Sequence, residues 1–391
     1  MSKKKKSSAS SIALNICIKL AAIVSTIALM LTMVLNVPII AYHEFDGKTT
    51  KVENLSIVNY LKQRKPMIHV EGTISRTESK DVELRSDVEL IENDGLDLNQ
   101  TIEGQYTILF LGFDTITNGS GNLHDVNYLV QFNLLTASMN ILQIPRDTYM
   151  PDYTNASSGK FNSIYSFGDS SVSNIQRVVD TVQQCFGIPV DAYVTTSCDN
   201  IVEIVDIIGG IPINMPYTVY YEPGKIIYEG EQVLNGTQSE WFVRYRSGYN
   251  EGDIGRVKAQ RIFLAAAMKK MLDMGSFKMM SCVNEVYEKE LLATDLSLAQ
   301  ISMIADLAST ISMENVNVYM LPGEGADAYG QSIWSVHKRA ALEIVNEHFR
   351  TQQVRLRDDQ SALIEWVPEG SYRNTLNDDT EQSFEELYNK D

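Results

Sequence analysis

Residues 106–113, Tyr-Thr-Ile-Leu-Phe-Leu-Gly-Phe, are apolar almost without interruption. A strand whose consecutive side chains are apolar must be covered on both faces, as a central strand of a layered α/β sheet is. Further strands are expected at 126–133 and 138–150, then a helix near 172–185, a strand at 191–196, a helix over 199–210 and a strand at 211–215. Helices near 284–292 and 296–310, a strand at 315–323 and a helix over 332–349 close the series. The alternation of strands and helices fits an α/β sandwich and argues against a bundle or a β-sandwich.

The chain has 391 residues, 44% of them hydrophobic, which is too apolar for a mainly disordered protein. Four lysines occupy positions 3 to 6, and no formal charge falls between Lys19 and Glu44 when His43 is neutral. Residues 20–42 are thus expected to cross a bilayer as a helix, with residues 1–19 cytoplasmic and the rest outside. No small-residue cleavage pattern follows the span, so it reads as a retained anchor and not a signal peptide. Residues 43–103 are polar and mixed, read as a stalk or accessory segment with one strand near 67–74. The main domain is placed at 104–350. The acidic stretch 351–391, with few large apolar residues, reads as a flexible tail.

Cationic side chains are densest at residues 244–261, in a chain of formal net charge -17. Arg244 and Arg246, two apart in a β-branched and aromatic run, would point the same way on a strand. Asp253, Arg256 and Gln260 follow at i, i+3 and i+7, on one face at the start of a helix. A helix start offers unpaired N–H groups and a positive dipole end, so the two elements together would cradle a phosphate or diphosphate. The same spacing also fits a solvated basic face with intrahelical ion pairs.

Asp114 ends the first core strand, and a Gly/Asn-rich loop leads to Asp125. Two carboxylates bracketing a loop can hold a hard divalent cation. Without one they would repel each other, so removing either is expected to raise stability. Arg146 and Asp147 end the third strand, and Lys160 and Asn162 follow. Cys185, Cys198 and Cys282 lack metal-ligand spacing and leave any pairing open. His43, His69, His124, His337 and His348 are scattered, which disfavours a zinc enzyme.

Taken in order, ILFLGFD, a second Asp after a loop, ILQIPRDTYM, KFNSIY, IVDIIGGIPINMP, VLNGTQSEWFVRYR, GDIGRVKAQRIFL and VYMLPGEG resemble the LytR-CpsA-Psr family of extracellular phosphotransferases. The resemblance covers roughly residues 104–350. It implies an α/β/α sandwich with a central mixed sheet and a hydrophobic slot for a lipid tail. The implied activity transfers an undecaprenyl-diphosphate-linked glycopolymer, of teichoic acid or capsular polysaccharide type, to the muramic acid 6-hydroxyl of peptidoglycan. The implied partners are that lipid-linked glycan, peptidoglycan and the membrane, with no nucleic acid. Asp114 and Asp125 would hold Mg²⁺ or Mn²⁺. Arg146, Lys160, Arg244, Arg246, Arg256 and Gln260 would bind the diphosphate, and Asp253 would orient the arginines. Either Asp125 or Asp147 could take the acceptor's proton.

Many relatives carry arginine at the position of Leu123 and some carry one at that of Met150, and each loss is expected to remove a phosphate-directed cation. That leaves two other readings of the same residues: a lipid-binding scaffold without turnover, and a pyrophosphatase with water as acceptor.

Overall fold

The computed structural model describes residues 38–45, 50–56, 105–114, 122–133, 136–249, 253–308, 311–351, 353–367, 381–383 and 387. The chain divides into two compact units, one of residues 1–66 with 297–301 and one of 67–296 with 302–391. In the first, β1 (Pro38–Phe45) pairs antiparallel with β2 (Thr50–Ser56). The end of the expected membrane helix, residues 38–42, is therefore strand. Pro38 disfavours a helix interior, and the β-branched Ile39 and Ile40 favour an extended backbone. Residues 1–37 and the strand expected near 67–74 lie outside the described residues, and no described helix is long and apolar enough to cross a membrane.

The second unit is built on β3 (Gln105–Phe113), β4 (His124–Asn133), β5 (Ser138–Gln143), α1 (Asn174–Phe186), β6 (Ala192–Ser197) and α2 (Cys198–Ile208). An excursion of short strands follows, β7 (Ile211–Met215), β8 (Val219–Glu222), β9 (Lys225–Ile227) and β10 (Gly230–Leu234). Next come α3 (Gly236–Arg244), α4 (Asp253–Asp273), α5 (Ser276–Glu288), β11 (Ala293–Thr294) and α6 (Leu298–Ala308), whose residues 298–301 fall to the first unit. The chain ends with β12 (Val316–Met320), the hairpin β13 (Gly323–Ala328) and β14 (Gln331–Val336), α7 (Lys338–Ile344) and β15 (Glu381–Ser383). One mixed sheet runs β11-β6-β3-β4-β5-β12-β15. β3 lies parallel to β6 and antiparallel to β4, and β5 lies parallel to β12.

Period-two alternation divides β3 between two cores, as the expectation of a strand covered on both faces requires. Leu109, Leu111 and Phe113 join Val178, Val182 and Phe186 of α1 and Leu342 of α7. Phe110 and Gly112 face the other way, toward Phe263 and Leu264 of α4. On that side Gln143 Nε2 donates to Val257 O at 3.2 Å, tying β5 to α4. Each fully buried Leu or Phe contributes roughly 1.5 to 3 kcal/mol, so the sheet is held mainly by these two apolar faces.

Helix boundaries follow local chemistry. Ser173 and Ser197 cap α1 and α2 by accepting from Gln176 N and Asn200 N, and Gly187 and Gly209 end them at φ 60° and 82°. Asn235 and Gln238 form a reciprocal capping box that starts α3. That cap overrides the β-branched run and carries the helix through Arg244, so the strand expected for residues 242–246 is instead a helix end. The helix expected over 332–349 begins only at Lys338, because residues 331–336 pair with 323–328 as a hairpin.

Residues 353–367 and 381–383 do not form a detached tail. Leu356 and Leu363 are buried in the first core, Ser361 Oγ donates to Cys185 O at 2.5 Å, and β15 adds to the sheet beside β12. Average composition hid a few well-placed apolar residues among the acids. Cys185, Cys198 and Cys282 are free and buried.

His124 is fully buried between the rings of Phe113 and Phe161, at 6.1 and 5.0 Å, with Nδ1 bonded to Asn127 Oδ1. Burial pushes its pKa down to about 4 from 6.5, so the native protein holds it neutral. A depressed pKa contributes stability that is fully present above the unfolded value of 6.5 and is lost as pH falls toward 4. Unfolding free energy measured across that window should fall by up to about 3 kcal/mol more in wild type than in His124→Gln. Parallel curves for the two proteins would show that His124 is not the titrating group.

Candidate functional site

Between Gly112 and Phe113 the β3–β4 register slips, with Gly112 facing Val126 and Phe113 facing His124. Asp125 is the extra residue of this bulge. A regular pleat would send Asp125 and Val126 to opposite faces, yet both line the same cavity. The bulge re-aims the carboxylate, a use to which such irregularities are put beside active sites.

Three guanidinium groups converge on Asp125. Arg146 Nη1 lies 3.0 Å from Oδ1 and 3.1 Å from Oδ2, and Oδ2 also accepts from Arg246 Nη2 at 2.8 Å and Arg256 Nη1 at 3.1 Å. The same three arginines meet Asp253, with Arg256 Nη2 at 2.9 Å, Arg146 Nε at 3.4 Å and Arg246 Nε at 3.7 Å. Asp253 opens α4, so its carboxylate also sits at the positive end of the helix dipole. Burial nevertheless holds the Asp253 carboxyl above its ordinary pKa, against the opposing pull of Arg146. The Arg256 side chain is only 2% exposed, whereas that of Arg246 is 45% exposed.

Arg146 and Lys160 are positioned by the segment after β5. Asn162 N donates to Arg146 O and Phe161 N to Thr148 O, which lays the KFN segment against IPRDT. Lys160 Nζ thereby comes within 3.0 Å of Asp147 Oδ1. Arg244, at the end of α3, bridges Glu240 Oε1 and Asp114 Oδ1, each at 2.8 Å. Glu240 is a site residue that the sequence reading missed. The signal was present, since an i, i+4 Glu–Arg pair is expected once the segment is read as helix. Gln260 Nε2 donates to Val243 O at 3.2 Å and ties α4 to α3.

A cavity of about 470 Å³ opens beside this cluster. Asp114, Asp125, Arg244, Arg246 and Arg256 line its charged end, and Phe110, Val126, Tyr128, Ile201, Phe263 and Leu264 give it apolar walls. Gly255 lets α4 start hard against Tyr249, because a Cβ there would overlap the Tyr249 ring. Tyr249 in turn receives a hydrogen bond from Tyr217 Oη at 3.0 Å, which anchors the loop after Arg246.

The structure thus brings together Asp125, Arg146, Arg246, Asp253 and Arg256, with Asp147 and Lys160 adjoining. Arg244 stands apart on Asp114. Of the two positions where the site was expected to lack a cation, Met150 is 1% exposed within the first core and does not face the site. Leu123 is 38% exposed.

No group of three or more His, Cys, Asp and Glu side chains among the described residues could hold a metal alone. Asp114 and Asp125 both line the cavity's charged end, and Mg²⁺ commonly takes one or two carboxylates and completes its shell with water and substrate phosphate. The charged groups around the cavity balance one another. Arg146, Lys160, Arg244, Arg246 and Arg256 are matched by Asp114, Asp125, Asp147, Asp253 and Glu240. A diphosphate entering this neutral set brings negative charge that a divalent cation would offset.

Residues 67–350 match the LytR_cpsA_psr family model, and the chain belongs to that family. It is 29% identical over 171 residues to the polyisoprenyl-teichoic acid–peptidoglycan teichoic acid transferase TagU of Bacillus licheniformis. That match takes in 44% of this chain and 54% of the relative's length. TagU of Bacillus subtilis is 26% identical over 244 residues, covering 62% of this chain and 76% of that protein. Among solved structures, protein gbs0355 from Streptococcus agalactiae superposes with a TM-score of 0.57 at 23% identity, over 67% of this chain and 93% of its own. The mixed central sheet with flanking helices is therefore a fold shared with that protein.

Proposed function

We propose that this protein is a membrane-anchored, extracellular phosphotransferase that moves a glycopolymer from a polyprenyl diphosphate carrier to peptidoglycan. The observation that carries the reading is a cavity with apolar walls whose charged end carries Arg244, Arg246 and Arg256, the last two converging with Arg146 on Asp125. A polyprenyl tail suits the walls, and a diphosphate suits the guanidinium groups, whose planar forks each grip two oxygens. The TagU relatives named above are transferases acting between polyisoprenyl-linked teichoic acid and peptidoglycan, which supports the same class of donor and acceptor.

In this reading the acceptor hydroxyl forms a new P–O bond to the sugar-bearing phosphorus. The bond between that phosphorus and the bridging oxygen breaks, and polyprenyl phosphate leaves with the electron pair. Arg146, Arg246 and Arg256 exchange part of their hold on Asp125 for the equatorial phosphate oxygens, where charge spreads in such transition states. Arg244 exchanges Asp114 for the diphosphate in the same way, and Gln260 holds the α3–α4 corner on which these arginines sit. Lys160 neutralises the acceptor side. Asp147 is the better placed base, since Asp125 is shared among three guanidinium groups. Mg²⁺ or Mn²⁺ held by Asp114 and Asp125 would add Lewis-acid neutralisation of the diphosphate.

Full-length protein incubated with a polyprenyl-diphosphate glycan and peptidoglycan in Mg²⁺ is expected to yield peptidoglycan-linked polymer. Phosphate release without transfer would make it a hydrolase instead. Tight lipid binding with neither product would make it a scaffold.

A further inference from the structure

Three residues beyond Arg146 the chain leaves the charged site, and Tyr149 is buried in a small cluster with Ala328 and Ile333 against which Trp366 packs. Tyr149 pairs across an isolated antiparallel bridge with Lys160, the residue that neutralises Asp147. Partners across a bridge share a face, which turns Tyr149 and Lys160 the same way, and the Lys160 ammonium holds Asp147, which sits in the turn closed by Thr148 N donating to Pro145 O. Trp366 meets the Tyr149 ring edge-on at 5.0 Å, and its indole N–H donates to Asp327 O at 2.9 Å. Tyr329 lies 5.3 Å from Trp366, and 86% of its surface is exposed.

The position of Tyr329 runs against local preference. Tyr329 and Gly330 form the two-residue turn between β13 and β14, at φ 53° and 79°. Such turns favour Asn-Gly or Asp-Gly, because a larger side chain is strained at positive φ. An exposed ring held at a strained position, next to a second ring pinned by its own hydrogen bond, adds little to the core. Departures of this kind from local rules mark ligand sites.

We propose that Tyr329 and Trp366 form a carbohydrate subsite that receives the acceptor glycan strand. Flat amphipathic rings of this type stack on the C–H face of a pyranose while their polar edges remain hydrated. The assignment to acceptor and not donor rests on the phosphotransfer reading above. In-line displacement puts the nucleophile opposite the leaving group. The leaving polyprenyl phosphate occupies the apolar cavity, and neither Asp147, Lys160, Tyr149, Tyr329 nor Trp366 lines it. An acceptor approaching from the far side of the phosphorus crosses the Asp147–Lys160 face and meets this platform next.

Tyr329→Asn tests the idea without disturbing the fold, since it installs the residue that the turn prefers. Binding of the full-length chain to peptide-free peptidoglycan glycan fragments should weaken by about tenfold. Affinity for bare polyprenyl diphosphate and the melting temperature should not fall. Trp366→Phe, which keeps a ring but loses the indole anchor, should weaken glycan binding by a smaller factor. Unchanged glycan affinity in Tyr329→Asn would overturn the subsite. So would a loss confined to sugar-bearing donor lipid, which would assign the platform to the donor. Glycan binding that depends on Tyr329 in a protein unable to bind the lipid would instead keep the platform and sink the phosphotransfer reading.

Discussion

Asp125→Ala is expected to melt well below wild type, by roughly 10 °C at neutral pH, and to transfer no polymer. The carboxylate is the shared acceptor of Arg146, Arg246 and Arg256. Arg256 is 2% exposed, so its charge cannot recover hydration when the partner goes. Removing one member of such a buried set typically costs about 3 to 5 kcal/mol, and each kcal/mol moves the midpoint of a domain this size by roughly 2 to 4 °C. The sequence alone suggested the reverse, a gain in stability on relief of repulsion between two carboxylates. In the folded chain each carboxylate has its own arginines, so there is little repulsion to relieve. Asp114→Ala serves as the contrast. Its pair with Arg244 is exposed and should contribute no more than about 1 kcal/mol to folding. Thermal melts of the two variants, with and without pyrophosphate, decide the matter. A melting temperature for Asp125→Ala at or above wild type would mean that the three arginines find other partners.

Arg246→Ala and Arg256→Ala separate binding from folding. Both guanidinium groups reach the cavity, and a charge-assisted bond to a phosphate oxygen contributes roughly 1.5 to 3 kcal/mol. Each change should therefore weaken polyprenyl diphosphate binding by about ten- to a hundredfold. Arg256→Ala should also unfold more readily, because it leaves Asp125 and Asp253 short of a partner in a buried setting. Arg246→Ala should keep nearly its full stability, its side chain being 45% exposed. Arg246→Lys should stay defective in binding, since one ammonium group cannot span a carboxylate and a phosphate as a planar fork does. Lys258→Ala, two residues from Arg256 and off that face of α4, is the control. Equal affinity losses at Lys258 and Arg246 would reduce the cradle to a diffuse basic surface.

The sequence by itself determined the layered α/β architecture. The nearly continuous apolar run at 106–113 fits a strand covered on both faces, and α1, which covers one of them, carries its own cap at Ser173. It also singled out the charged residues that meet at the site, because helical spacing places Asp253 and Arg256 on one face whatever else the chain does. Tertiary structure decided the pairing. A one-residue bulge turned Asp125 into the cavity, and a capping box at Asn235 converted the expected arginine strand into the end of α3. Long-range packing drew Leu356 and Leu363 into the core from a stretch that composition marked as a free tail. Period and propensity are properties of neighbours along the chain. Register, bulges and ion-pair partners depend on which distant segments meet, and the free energy of that meeting is not written in any one segment.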